Sequence, residues 1–495
     1  MNRNIVRLAG AAMILLASLV VATTYWQTWA RPALAERQDN AVQRVVEFTV
    51  KRGEISSRGR VLARNRAVER EGRTLYFRRY PLGPLTAHVV GYSTVSRSRA
   101  GLERSLNDYL TGATGSLASL VDTSIDKLKG KPLEGDDVRL SLDLVAQQVA
   151  REQLGSRCGA VAALDPRTGR VLVLYSSPSY DPNRVERNFG SISQIRADCR
   201  PAAPLVNRGS WGLYPPGSTF KVVTASAALD SHAATPQRTF YDPGYCIAYG
   251  KRVNNFDTST PFGRISLFEA LVHSVNSVFC NLGQELGAKK ILRTAKRFGF
   301  YDLPPLETPA NERRASGLYK NGSPFEPKRD FEVDAGRMAF GQERMLVTPL
   351  QMAMVAGTIG NGGILMEPHV VDRIVSPKGR LVYRGKATKI DRAVTPTTAR
   401  DVGGMMVAVV QRGTGTAAQL PGYVVGGKTG TAETGVPGIN HTWFIAFAGL
   451  PGQKPKIAVA VVVENQPHGT GGRVSAPIAK AVMEALLRKT PNSTP

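Results

Sequence analysis

A chain of 495 residues is too long for one typical core, which predicts two or three folded units. Its 64 lysines and arginines outweigh 39 acids for a formal charge of +25, yet no zinc finger, RNP-like aromatic string or basic helical block accompanies them, which excludes nucleic acid as the natural partner. The basic residues crowd between Arg31 and Leu110, so anionic lipid headgroups and wall polymers are the acidic neighbours that fit.

In chain order, Asn2 to Arg7 is a short basic leader, and Leu8 to Trp26 follows as nineteen residues without a charge. At helical rise that run is about 28 Å long, close to the thickness of a hydrocarbon core. Tyr25, Trp26 and Trp29 close it as interfacial aromatics before Arg31. We read residues 1–7 as a cytoplasmic leader and 8–29 as an uncleaved, single-pass membrane anchor, with the rest of the chain outside the cytoplasm. A cleaved signal peptide is the alternative, because Ala30 and Ala33-Leu-Ala35 offer small residues for a cleavage site.

Residues 30–135 are Arg-rich and broken by glycines, and read as a small mixed module. Val45 to Val50 and Val61 to Ala63 have strand character, and Lys127 to Gly135 reads as a linker. A larger domain, residues 136–488, opens at Val138 to Asp143 and continues into a helix from Leu144 to Leu154. Ala160 to Leu164 and Val171 to Tyr175 flank the turn Asp165 to Gly169, giving strand, turn and strand. Phe220 to Leu229 reads as an apolar helix, and Leu267 to Leu286 as one helix or a pair. Tyr423 to Gly427, Trp443 to Leu450 and Lys456 to Val463 read as successive antiparallel strands. Ile478 to Leu487 closes the domain as a helix, and residues 489–495 form a disordered tail.

All four cysteines follow the anchor, where an oxidising compartment favours two disulfides. Three pairings are possible. Closure of local loops favours Cys246 with Cys280 and Cys158 with Cys199. The six histidines have no ligand spacing, so no metal is expected, and no cofactor motif is present.

Three short strings carry the chemistry: Ser218-Thr-Phe-Lys221, Ser274-Val-Asn276 and Lys428-Thr-Gly430. Each alone is weak, since Ser124-Ile-Asp-Lys127 and Ser105-Leu-Asn107 match the first two by chance. Their order and setting are what count. Ser218 follows Pro215-Pro-Gly217 at the start of a predicted helix, so its N–H is one of the free donors of a first turn. Lys221 lies three residues on and can fold back beside the hydroxyl. A lysine serves as base only if burial or a neighbouring positive charge, here Lys428, keeps it partly neutral. Ser274 offers a hydroxyl for proton transfer, and Asn276 an amide for a substrate backbone. Lys428, Thr429, Gly430 and Thr431 form a strand suited to a terminal carboxylate, with the Thr431 N–H as a second oxyanion donor.

On these strings the chain resembles the class B penicillin-binding proteins, which are peptidoglycan D,D-transpeptidases, and most of all the short actinobacterial type called penicillin-binding protein A. Arg52-Gly-Glu-Ile55 with Leu62-Ala63, Gly91-Tyr92, and Gly101-Leu-Glu103 with Leu110 look like that family's pedestal signatures. Ala163 to Gly169, Ser176 to Asn183, Asn207-Arg208, Gly341-Gln342, Thr348 to Gln351 and Gly413-Thr-Gly415 look like its transpeptidase signatures. The resemblance implies an α+β fold with an antiparallel sheet packed between helices, an N-terminal anchor and a dimerisation-like pedestal. It implies Ser218 as the acylated nucleophile, Lys221 as its base, Ser274 and Lys428 as catalytic partners, and Asn276, Thr429, Gly430 and Thr431 as substrate-binding residues. The implied reaction attacks the D-Ala-D-Ala bond of a stem peptide, releases terminal D-Ala and passes the acyl group to a neighbouring amine, while β-lactams trap the serine. Only about 110 residues lie between anchor and catalytic domain, which leaves no room for a glycosyltransferase, so a separate multi-spanning one is implied as partner. A D,D-carboxypeptidase or serine β-lactamase is the rival enzyme, and a β-lactam sensor or wall-peptide scaffold the rival of another class.

Overall fold

The computed structural model describes residues 2–25, 47–70, 72–113, 133–256 and 261–488. Trp26, Trp29 and Arg31, the chance match at Ser124, most of the expected linker and the tail at 489–495 lie outside the described residues. The helix Asn2–Tyr25 is long and apolar enough to cross a membrane, and its flank from Leu8 to Val21 is exposed. Two of its hydroxyls are satisfied within the helix: Ser18 donates to the Ile14 carbonyl and Thr23 to the Leu19 carbonyl, both at 2.7 Å.

The catalytic part is a five-stranded antiparallel sheet covered on both faces. Its strands are β1 (Gly159–Leu164), β2 (Val171–Ser177), β3 (Val424–Glu433), β4 (Ile439–Gly449) and β5 (Ile457–Pro467), in the order β3-β4-β5-β1-β2. The helices around it are α1 (Leu144–Leu154), α2 (Lys221–Asp230), α3 (Asn276–Arg297), α4 (Pro349–Gly360), α5 (Pro396–Arg412) and α6 (Ala476–Leu487). Strand β5 shows why its sequence lacks the alternation of a half-buried strand. Ala458, Ala460 and Val462 pack with α4 and α5, whereas Ile457, Val459, Val461 and Val463 pack with α1 and α6. Both sides of the pleat are therefore core. The three predicted late strands are β3, β4 and β5, each longer than expected.

Strand β3 is an edge of this sheet, and glycine keeps it thin. A Cβ at Gly426 would lie 2.3 Å from the Phe447 ring, and one at Gly427 2.5 Å from the Phe444 ring. Both rings press against the strand that carries Lys428.

A second sheet, six-stranded and mixed, forms the pedestal. It runs Leu381–Arg384, Val371–Val375, Asp137–Leu140, Ile55–Ser57, Arg60–Arg70 and Arg73–Arg79. Ile55–Ser57 is parallel to Asp137–Leu140, and Val371–Val375 returns from deep in the catalytic sequence to pair with it. The sheet thus stitches together chain segments on both sides of the expected boundary at 135/136. The strand read at Val45 to Val50 differs too, since its described part, 47–50, is a helical turn and bend.

Inside the pedestal, Glu103 is fully buried between two arginines. Its carboxylate accepts from Arg52 at 3.0 Å and from Arg78 at 2.6 Å, and Asn107 takes a further Arg52 N–H at 2.8 Å. Asn107 belongs to the chance motif match at Ser105, and this pairing gives it a structural use. Burial alone would push the Glu103 carboxyl up, but Arg78 and Arg52 together hold it below the usual carboxylate range. Removing the acid leaves two buried guanidiniums facing each other. Glu103→Ala is expected to destabilise the pedestal by about 3–5 kcal/mol. Hydrogen exchange should show protection lost across residues 52–110 and retained in β4 and β5. Unchanged protection in the pedestal would contradict this account.

Candidate active site

The chain enters the site through a pinned turn. Tyr214 exchanges backbone hydrogen bonds with Val347 at 3.0 and 2.9 Å, and the Trp443 indole N–H on β4 donates to the Pro215 carbonyl at 3.0 Å. Gly217 then adopts φ +52°, and a Cβ there would meet the Thr431 carbonyl oxygen at 2.7 Å. Only glycine satisfies both the left-handed backbone and the close approach to β3. Ser218 follows, half-buried, in the 3₁₀ turn Gly217–Phe220, and α2 begins at Lys221 rather than at Phe220. The tighter turn is closed by the Thr219 hydroxyl, which donates to the Pro216 carbonyl at 2.8 Å. A Cβ on Gly430 would meet that carbonyl, also at 2.8 Å, so the third string packs against the turn that leads into the first.

Lys221 and Lys428 are both fully buried, and Ser274 lies between them. The Lys221 ammonium donates to the Ser274 carbonyl at 2.7 Å, to the Asn276 side-chain oxygen at 2.8 Å and, at 3.4 Å, to the Ser274 hydroxyl. Lys428 donates to the same hydroxyl at 2.8 Å and to the Thr429 carbonyl at 3.0 Å. No carboxylate is among these partners. Burial, reinforced by the charge of Lys428, holds the Lys221 amine well below the ordinary lysine range. Burial pushes Lys428 down to about 7. A lysine with hydrogen-bond acceptors but no counter-ion in a dry site surrenders its proton far more easily than one in water.

Ser274 stands at a position that favours glycine. The short helix Leu267–Val272 ends with His273, and the next two N–H groups turn back: Ser274 to the Leu271 carbonyl at 3.2 Å and Val275 to the Ala270 carbonyl at 2.9 Å. That is the Schellman arrangement, whose left-handed residue is usually glycine. Here it is Ser274 at φ +61°. A serine held in this conformation costs about 1 kcal/mol or more, and such strain concentrates at functional positions. His273 itself stacks on Phe262 at 5.0 Å and lies 3.6 Å from Glu269. It is packed against its own helix and takes no part in the lysine network.

The second string is held from behind by residues that sequence reasoning did not single out. Asp242 is buried and accepts from the Ser277 hydroxyl at 2.5 Å, the Gly244 N–H at 2.8 Å, the Asn255 amide at 2.9 Å and the Phe262 N–H at 3.0 Å. Burial opposes its charge, but these four donors hold its carboxyl below the usual range. Asn276 in turn donates to the Asn254 carbonyl at 3.1 Å. The hairpin of Tyr245–Ala248 and Lys251–Asn254 is thereby tied to the start of α3, and the Cys246–Cys280 disulfide fastens it again one helical turn on. The other disulfide joins Cys158 to Cys199. Nearby, Glu464 accepts from Arg208 and from the Tyr214 hydroxyl, each at 2.7 Å, and so braces the residue that precedes Pro215.

Thr429 completes the third string, sharing a 2.6 Å hydrogen bond with Thr414. Thr414 had a sequence signal, being the centre of Gly413-Thr-Gly415. Asp242 and Trp443 had none, because their partners lie 35 and 228 residues away.

Comparison with known proteins agrees with this geometry. Residues 159–484 match the family described as penicillin binding protein transpeptidase domain, and residues 52–138 match the penicillin binding protein A dimerisation domain. A protein of Mycolicibacterium smegmatis named peptidoglycan D,D-transpeptidase PbpA is 34% identical over 513 residues, covering 99% of this chain and 100% of its own. Its namesake in Mycobacterium tuberculosis is 34% identical over 511 residues, with the same coverage. The M. tuberculosis penicillin-binding protein A structure solved as a ceftriaxone acyl-enzyme superposes with TM-score 0.80 at 32% identity, covering 90% of this chain and 100% of that one. Its imipenem acyl-enzyme gives 0.78 at 33%, covering 89% and 100%. Two buried lysines bridged by a serine, beside a pinned Ser-x-x-Lys turn and on an edge strand, therefore stand in a chain that belongs to the penicillin-binding protein transpeptidase family.

Proposed function

We propose that this chain is a membrane-anchored serine D,D-transpeptidase that crosslinks peptidoglycan stem peptides and is acylated by β-lactams. The observation that carries this reading is the counter-ion-free burial of Lys221 and Lys428 around one serine hydroxyl. In the first half-reaction Ser218 Oγ attacks the carbonyl carbon of the penultimate D-Ala, and neutral Lys221 takes the hydroxyl proton. The N–H groups of Ser218 and Thr431 receive the oxyanion. The C–N bond then breaks, and the departing D-Ala nitrogen collects a proton passed from Lys221 through the Ser274 hydroxyl. In the second half-reaction an acceptor amine attacks the ester carbon, its proton returns by the same path, and Ser218 recovers its own. Lys428, Thr429 and Thr431 hold the substrate carboxylate, Asn276 its backbone, and Gly430 lets the substrate approach β3.

Arg3 and Arg7 in the first turns of the apolar helix support a cytoplasmic N-terminus, and two disulfides support an oxidising compartment for the catalytic part. In this reading a separate, multi-spanning glycosyltransferase supplies the strands to be joined.

Fluorescent penicillin tests the assignment directly. The purified chain should form a stable adduct that Ser218→Ala abolishes. Rapid turnover of the label would point to a β-lactamase, and an adduct retained without Ser218 would overturn the nucleophile.

Because Lys221 works only after losing its proton, acylation should rise with pH as its amine, held well below the ordinary lysine range by burial and by Lys428, titrates, and should level off above that. Lys428→Gln removes a like charge, so Lys221 holds its proton more tightly and the rise should move to higher pH. A shift to lower pH would contradict the coupling.

Ser274→Gly suits the left-handed turn while deleting the hydroxyl. Its stability should stay within about 1 kcal/mol of the parent. Acylation should nevertheless fall about 10²- to 10⁴-fold. Equal loss of both would make Ser274 a structural residue only.

A further inference from the structure

The sheet that stitches the pedestal to the catalytic part carries a feature the acyl-transfer site does not use. Arg373 on Val371–Val375 stands directly opposite Arg139 on one neighbouring strand and opposite Arg384 on the other. Residues paired across strands project to the same face, and strands lie about 4.8 Å apart, so the three arginines form a row about 10 Å long. Val138 and Ile374, the alternate residues, are buried in the core, which fixes the arginine row on the solvent side. Among the described residues, Arg139, Arg373 and Arg384 make no ion pair or side-chain hydrogen bond. Like charges directly opposite weaken a sheet, so a rung of three without acids is a local conflict that the fold alone does not require.

The row borders a cavity. Arg139 and Arg373 line a cleft of about 420 Å³, together with Ser56, Arg58 and Arg170. Arg58 is engaged by Asp143 at 2.6 Å and Arg170 by Asp372 at 3.2 Å, yet the Arg170 Nε is buried with no acceptor. Glu54, Asp137 and Asp372 also line the cleft; the Asp137 carboxylate accepts from the Glu54 N–H at 2.7 Å, and Asp372 is taken up by Arg170.

We propose that this cleft binds a phosphate-bearing polyanion, with the guanidinium forks of Arg139 and Arg373 gripping phosphate oxygens and Arg384 extending the grip along the row. A narrow chain of phosphates can follow the arginine row across three strands and avoid Glu54 and Asp137, while Asp372 is held in its ion pair with Arg170. A broad anionic bilayer would meet both signs at once, so a polymer is the occupant this geometry fits. The inference stands apart from the acyl-transfer reading, because none of these residues belongs to the lysine network.

The test uses the full chain in neutral detergent micelles, titrated with sodium tripolyphosphate by calorimetry at about 50 and 200 mM salt. Binding should weaken about tenfold at the higher salt, and Arg139→Gln/Arg373→Gln should weaken it at least tenfold at the lower. The unliganded double variant should melt no lower than the parent, since it loses a repulsion. Arg139→Lys/Arg373→Lys, which keeps the charge, should retain part of the affinity and guards against a folding artefact. No tripolyphosphate binding at the lower salt, or an affinity unchanged in the glutamine variant, would overturn the proposal. So would arginine-dependent capture by phosphatidylglycerol vesicles without tripolyphosphate binding, which would make the surface a membrane contact.

Discussion

Two ammonium groups held in the interior with no counter-ion among the described residues are the constraint around which the catalytic part is built. Leaving a lysine charged in such a place is costly, and the cost falls if the group becomes neutral. The fold must therefore surround Lys221 and Lys428 with enough neutral hydrogen-bond acceptors to retain them, and with no acid that would lock the proton on. The Ser274 carbonyl and hydroxyl, the Asn276 amide and the Thr429 carbonyl do that. An aspartate in place of Asn276 would stabilise the charged form of Lys221.

Such a balance needs rigid walls. The sheet supplies them by being core on both faces, so that β4 and β5 cannot shift without disturbing packing on two sides. Strand β3 is the exception, since one edge is open while its Gly426 and Gly427 are pressed by Phe447 and Phe444. The aromatic rings keep the geometry of that strand fixed. Trp443 extends that rigidity to the turn that carries Ser218, and Asp242 extends it to Ser277 at the start of α3. Preorganised groups of this kind lower a barrier because they need not reorganise as charge develops.

The pedestal follows the opposite electrostatic rule at its centre. Glu103 is buried with its charge, because Arg52 and Arg78 compensate it, and the triad ties helix Gly101–Ser105 to the N-terminal strands. On the outer face of the same sheet, Arg139, Arg373 and Arg384 have no such compensation. One structure thus holds a compensated buried charge, two buried lysines poised to lose theirs, and an exposed row of unbalanced ones, and each environment fits a different use.

The chemical identity of the site was legible because its three strings are local: a turn of Pro and Gly before Ser218, a three-residue spacing to Lys221, and a small-residue strand around Lys428. The membrane-type helix and the late antiparallel strands were legible for the same reason, since apolar run length and β-type composition are properties of contiguous residues. What stayed hidden depends on distant partners. No local pattern announces that residues 371–384 return to the pedestal sheet, or that the Pro215 carbonyl waits for Trp443. Ser274 looked like an ordinary helix-terminal serine, and only the backbone reveals it in a left-handed position where glycine is the rule. The sequence by itself determined which groups the protein has for acyl transfer, their order along the chain and which cysteines were available to pair. Tertiary structure alone decided that two of those groups, the lysines, are buried, adjacent and uncompensated, because desolvation depends on everything that surrounds a side chain and not on its neighbours in the chain.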